Sequence, residues 1–168
     1  MKAKDVALCG VLAAIVFVAT YLIQIPITVT GGYLNFGDSV ILLFALLFGR
    51  RVGGIVGGLG AALADLLGPY KVFAPGTLVI KGLEGFLCGT LGYKRSLKMK
   101  FVATIVGGVT MMVGYFLYEI SILGIAPAQA WAELMFFNSV QAISGIIIAL
   151  ALTKVLEKTV SDYLEAWK

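Results

Sequence analysis

The chain contains no histidine. That removes the commonest metal ligand and the commonest general base together. Cysteine is scarce, with only Cys9 and Cys88; both fall on the halves of apolar segments nearest the basic loops, where a structural disulfide is not expected. Charge is thin as well: 13% of the 168 residues are Asp, Glu, Lys or Arg, against roughly 25% in an average soluble domain. No Gly-x-x-x-x-Gly-Lys-Ser/Thr run is present, so the chain does not cradle ATP phosphates in the usual way. These absences argue against an enzyme. No catalytic residue, metal or cofactor is expected.

What is present is apolar. Hydrophobic residues make up 60% of the chain, with 21 glycines, and the mean hydropathy is +1.00. Too few polar side chains remain to cover a water-facing surface. Abundant small residues suit closely packed helices in lipid. The sequence therefore reads as one all-α membrane domain over residues 1–168, a bundle of six spans at about 5–24, 37–49, 52–67, 75–93, 101–122 and 130–155. The first span resembles a signal peptide at its start, but it runs on without a small-x-small cleavage site and reads as a retained helix. Between the first two spans, "IPITVTGGYLNF" carries Pro26 and Gly31-Gly32, which points to an extended loop.

Basic residues set the orientation. Lys2, Lys4, Arg50, Arg51, Lys94, Arg95, Lys98, Lys100, Lys154, Lys158 and Lys168 gather on one face, eleven of the thirteen basic residues. The positive-inside rule makes that face cytoplasmic, with both termini inside. The net charge of +4 is thus a topology signal and not a nucleic-acid footprint. The opposite ends carry Asp38, Asp65, Lys71, Glu119 and Glu133, a mostly acidic set.

A rise of about 1.5 Å per residue converts spacing into depth. Asp38 then lies roughly 18 Å above Arg50, Asp65 about 21 Å above Arg51, and Lys81 and Glu84 about 20 and 15 Å above Lys94. Gln141 and Asn138 lie about 20 and 24 Å above Lys154. All share one slab between midplane and outer interface. Helices 2 and 3 read as too short to reach the outer surface, which leaves an outward hollow. On helix 4, Lys81, Glu84, Gly85, Cys88, Gly89 and Gly92 share one side; Val79, Ile80, Leu83, Phe86, Leu87 and Leu91 form a lipid face. Tyr115, Tyr118 and Glu119 share a side of helix 5 with Thr104, Gly107 and Gly108. Trp131, Asn138, Gln141 and Gly145 share a side of helix 6. Lys81 and Glu84, three residues apart, can neutralise each other, as a structural pair or beside a ligand.

The run "GYLNFGDSVILLFALLFGRRVGGIVGGLGAALADLLG", followed by "FAPGTLVIKGLEG", is similar to the vitamin-binding S components of energy-coupling-factor (ECF) transporters, closest to the riboflavin-type branch that includes hydroxymethylpyrimidine-like carriers. The resemblance covers the whole chain and is most specific over residues 33–85. It implies a multi-pass protein of a prokaryotic cell membrane that binds a small vitamin or precursor near its outer side. A transmembrane T component and two ATPase subunits would supply the energy. The implied binding set is Tyr33, Asn35, Asp38, Lys81, Glu84, Tyr115, Tyr118, Asn138 and Gln141, with Asp38 alternatively capping helix 2. Small residues at Ala3, Ala7, Gly10 and Ala14 would dock on the T component, whereas Gly53, Gly54, Gly57 and Gly58 read as packing against helix 2.

The polar set mixes Asp38, Asp65, Glu84 and Glu119 with Lys71 and Lys81, which does not favour a strongly anionic ligand. Aromatic surfaces at Tyr33, Phe36, Tyr70, Phe73, Tyr115, Tyr118 and Trp131 suit a small neutral or weakly basic heteroaromatic ring. Hydroxymethylpyrimidine or pyridoxine fits first, then riboflavin, then pantothenate. The competing reading is a small ion-coupled secondary transporter, alone or as a dimer, using Asp65 or Glu84 to carry protons.

Overall fold

Every backbone N–H and C=O in the hydrocarbon layer must find a partner within the chain, which restricts this sequence to helices. A computed structural model describes residues 3–166; the basic residues Lys2 and Lys168 lie outside them. Helix α1 (Ala3–Tyr21) leads to a two-strand hairpin, β1 (Ile25–Pro26) and β2 (Tyr33–Leu34). Then follow α2 (Gly37–Phe48), α3 (Arg50–Leu67), α4 (Ala74–Gly92) and α5 (Leu97–Ser121). The sixth span is a single rod built from α6 (Pro127–Ala132), a wider π-wound segment (Glu133–Asn138) and α7 (Ser139–Ala166). Three rods are long and apolar enough to cross a membrane by length and composition alone: α1, α5 and the sixth.

The six expected spans are present, with shifted ends. The last is the most changed, running from Pro127 to Ala166 instead of 130–155. Helix α2 is short, twelve residues or about 18 Å. Helix α3 is not: its eighteen residues reach about 27 Å, nearly the full hydrocarbon thickness. The outer recess therefore lies above α2 alone. The β hairpin occupies that position. Ile25 pairs with Leu34 and Pro26 with Tyr33, while the fully buried Ile27 accepts and donates backbone hydrogen bonds across the turn to Gly31 and Gly32.

Helix α2 forms the hydrophobic centre. Ile41, Leu42, Ala45 and Leu46 are almost wholly buried, and Leu43, Phe44 and Leu47 nearly so. Its junction with α3 turns on Gly49 at φ 85°, a left-handed conformation that favours glycine, with the Tyr93 ring against it.

The glycine run of α3 packs chiefly on α4, not on α2 as its position suggested. A Cβ at Gly57 would sit 2.7 Å from the Lys81 carbonyl oxygen, and one at Gly58 would sit 2.7 Å from that of Leu78. Gly53 and Gly57 also meet α2, at Ala45 and Ile41, and Gly60 meets α1 at the Ala13 carbonyl. Two backbones this close leave no room for a side chain. Gly57→Val is expected to force α3 and α4 apart, costing at least the 1–3 kcal/mol typical of overpacking; a size-exclusion profile and melting curve in detergent will show it.

The lipid face of α4 is narrower than expected. Val79, Leu83 and Phe86 are exposed, but Ile80 is only 7% exposed. It fills the notch at Gly114 of α5, where a Cβ would lie 2.8 Å from its methyl group. A small residue on the facing helix turned an apolar outer position into a contact.

Candidate functional site

Three charged side chains cannot remain in an apolar bundle unless they answer one another. Asp38 of α2, Lys81 and Glu84 of α4 are each 1% exposed or less. The Lys81 ammonium donates to Asp38 Oδ1, lies 3.2 Å from Glu84 Oε2 and sits 5.5 Å above the Tyr115 ring. The Glu84 contact has ion-pair distance without hydrogen-bond alignment, since neither of its oxygens has a hydrogen-bond partner. Asp38 is therefore the principal partner of Lys81. It makes no capping bond to α2, whose N-cap position is Phe36; just before the helix the Asn35 side-chain oxygen accepts from the Gly37 N–H at 2.8 Å in a local turn.

Gln141 of α7 carries the network upward. Its Nε2 donates to Asp38 Oδ2 at 3.1 Å, and its Oε1 accepts the Asn35 backbone N–H at 2.8 Å. One amide thus ties the ion cluster to the chain that follows the hairpin.

Above this floor lies a small cavity of about 20 Å³, lined by Gly32, Tyr33, Asn35, Asp65, Phe73, Thr77, Tyr115, Glu133, Asn138 and Gln141. Its walls come from the hairpin, α3, α4, α5 and the sixth span. Tyr33 donates to the Asp65 carboxylate and stacks on Tyr70, ring centres 4.1 Å apart. Burial, then the neighbouring Asp65 charge, holds the Tyr33 phenol well above its usual range, so it stays a donor. Thr77 and Tyr115 share a hydrogen bond of 2.9 Å on the opposite wall. Thr30 in the hairpin turn donates to Glu133. The Asn138 amide nitrogen is buried without a partner. An unpaired donor at a cavity wall costs roughly 1–3 kcal/mol until something accepts from it.

Five of the nine residues implied by resemblance line the cavity: Tyr33, Asn35, Tyr115, Asn138 and Gln141. Asp38, Lys81 and Glu84 form the layer beneath, where Lys81 bonds Asp38 and stands at ion-pair distance from Glu84. Tyr118 lies outside; its hydroxyl donates to the Val72 carbonyl at 2.8 Å. Lys71 and Phe36 are exposed, and Trp131 is 55% exposed with its ring edge-on to Phe116.

Trp131 and Glu133 share one cause. At about 100° per residue, Trp131 falls beside Asn138 and Glu133 about 140° away from it. The π-wound segment turns only roughly 80° per residue, which leaves Glu133 about 40° from Asn138. The wider turn swings Glu133 into the cavity and Trp131 out. Constant pitch hid this acid. Thr77 was equally hidden, because one threonine in an apolar run carries no signal until its partner Tyr115 is known.

The ECF-type riboflavin transporter S component family matches residues 1–158. A Pyrococcus woesei protein called an uncharacterized protein in gap 3'region is 47% identical over 156 residues, covering 89% of this chain and 99% of its own. The thiamine precursor transporter HmpT of Lactococcus lactis subsp. cremoris (strain MG1363) is 32% identical over 157 residues, covering 93% and 89%. Among solved structures, the S component of a bacterial ECF transporter superposes with a TM-score of 0.64 at 24% identity, covering 95% of this chain and 98% of that one. FolT bound with folic acid gives 0.60 at 20% identity, covering 89% and 93%. At those identities the two structures speak for the fold alone.

Proposed function

The chain belongs to the ECF-type riboflavin transporter S component family, a family of vitamin and precursor uptake, and from that premise we propose that it captures a single-ring heteroaromatic precursor, of which hydroxymethylpyrimidine is the first choice and pyridoxine the second. The observation that carries this reading is the charge of the cavity wall. Two carboxylic groups, Asp65 and Glu133, face the space, and among the described residues no lysine or arginine lines it. The nearest cation, Lys81, is buried below and held by Asp38 and Glu84. A carboxylate-bearing vitamin such as folate or pantothenate would meet like charge there. An aminopyrimidine offers an amino group to the acids, ring nitrogens to Asn138, and a flat face to Tyr115 and Phe73.

The closed cavity measures only about 20 Å³, room for about one water, so a substituted ring enters only once the hairpin moves aside. The HmpT relative, named for a thiamine precursor, supports the same first choice.

In this reading the ligand enters from the outside. The hairpin, held shut by Thr30 to Glu133 and Tyr33 to Asp65, opens to admit it and closes over it. Energy comes from a T component and two ATPase subunits in a prokaryotic cell membrane. Ala3, Ala7, Gly10 and Ala14 form the docking stripe on α1; all four are exposed, and a Cβ at Gly10 would meet nothing within 4 Å.

Mass spectrometry of ligand released from the purified protein tests the substrate class. Calorimetry with hydroxymethylpyrimidine is expected to show Asn138→Ala binding about tenfold more weakly, a loss of about 1.4 kcal/mol, with an unchanged melting temperature. Equal affinity in both proteins would remove Asn138 from the site. Uptake that survives deletion of the ATPase partners but collapses with the ion gradient would favour a secondary transporter instead.

A further inference from the structure

Helix α5 and the sixth span are tied together along their inner sides. A Cβ at Gly108 would lie 3.2 Å from that of Ala142. Nearer the basic face, the buried Lys100 donates to Glu157. Beside that lower tie, on the exposed side of the seam, the two helices part. They leave a groove of about 490 Å³ walled by Leu97, Phe101, Leu150 and Ala151, with Lys98 and Lys154. Leu97 and Phe101 are each more than half exposed.

The order of these residues by depth is that of a lipid. At about 1.5 Å per residue, Phe101 stands about 4.5 Å deeper than Lys98, and Leu150 about 6 Å deeper than Lys154. Two cations thus stand at the cytoplasmic end, and apolar walls run inward from them. The nearby acid is already engaged, since Glu157 answers Lys100. Among the described residues neither Lys98 nor Lys154 forms an ion pair. Two other surface grooves of similar size lack this arrangement. Among the described residues, the groove between α4 and α5 has no charged side chain in its lining, and that between α3 and α4 has Arg51 alone.

We propose that the α5–α7 groove binds one anionic phospholipid of the inner leaflet, with an acyl chain along Leu97, Phe101, Leu150 and Ala151 and the headgroup phosphate between Lys98 and Lys154. Charge complementarity selects this occupant. Two ammonium groups without an acid, at the membrane surface, attract an anionic headgroup, while the chain covers the apolar wall. A zwitterionic headgroup brings its own cation and gains less. A lipid seated there braces α5 against the sixth span, whose outer parts bring Tyr115 and Asn138 to the cavity. The assignment is independent of which vitamin the cavity takes.

Native mass spectrometry of the purified protein, titrated with phosphatidylglycerol or with phosphatidylcholine of the same chains, reads the site. Wild type is expected to retain one phosphatidylglycerol about tenfold more tightly than phosphatidylcholine. Lys98→Gln combined with Lys154→Gln is expected to bind phosphatidylglycerol about thirtyfold more weakly, a factor of about five for each lysine, and to lose the preference. Arg95→Gln combined with Lys158→Gln removes the same charge from exposed positions outside the groove and is expected to keep wild-type affinity. Ala151→Trp keeps both lysines but fills the groove, and is expected to lose the retained lipid.

Equal affinity for the two lipids in wild type, or equal losses in the two double variants, would reduce the effect to general attraction by a basic face and refute the site. Unchanged retention in Ala151→Trp would remove the acyl chain from the groove and refute it too. So would a cross-link from Lys98 or Lys154 to another subunit of the assembled transporter with no lipid retained, which would give the groove to a protein partner.

Discussion

Replacing Lys81 with methionine is expected to cost about 3–5 kcal/mol, the penalty for leaving buried charge without its partner. Asp38 and Glu84 would then face each other's field with no cation beside them, both essentially inaccessible to water. Methionine keeps the length and apolar stem of lysine, so the loss reports charge and not volume. The melting temperature in detergent should fall by many degrees, and the yield of monodisperse protein with it. Adding Asp38→Asn and Glu84→Gln to Lys81→Met should recover much of the loss, because an amide set needs no cation. A wild-type melting curve for the single variant would mean that the cluster does not hold α2 to α4.

The second large effect concerns the winding of the sixth span. Deleting Phe136, which is 70% exposed to lipid, shortens the π-wound segment by one residue and lets it relax to ordinary α pitch. Everything on its N-terminal side then rotates by about 100°. Glu133 leaves the cavity, Thr30 loses its acceptor, and the hairpin loses one of its two side-chain ties. Affinity for hydroxymethylpyrimidine should fall at least a hundredfold, about 2.7 kcal/mol. The core residues Asn138 and Gln141 lie C-terminal to the change, so the ion cluster and the melting temperature should be far less affected. Retained affinity would show that Glu133 makes no useful contact with the guest.

Much of this architecture was legible in the chain because lipid simplifies the physics. Apolar run length marks the spans, and eleven basic residues fix their direction. Helical rise then placed Asp38, Lys81, Glu84 and Gln141 at one depth, where the structure joins them in one network. Depth and angle do not reveal which neighbour answers which group. Lys81 looked like the partner of Glu84 because spacing within a helix is visible, whereas its stronger partner, Asp38, lies forty-three positions away. The same blindness put Ile80 in lipid and set Gly54 and Gly58 against α2, where they meet α4 alone. Glu133 was missed for another reason: the angular rule assumes uniform pitch, and the pitch changes at that residue. The hairpin ties of Thr30 and Tyr33 lay beyond reach because a loop has no period to extrapolate.

The glycine seam between α3 and α4 has a mechanical consequence. Where side chains interlock, neighbouring helices can slide by exchanging rotamers. Here main chain rests on main chain at Gly57 and Gly58, and there are no rotamers to exchange. The two helices are bound to travel as a single stiff keel, so the flexing that admits and expels cargo must take place in the thinner members hinged around it.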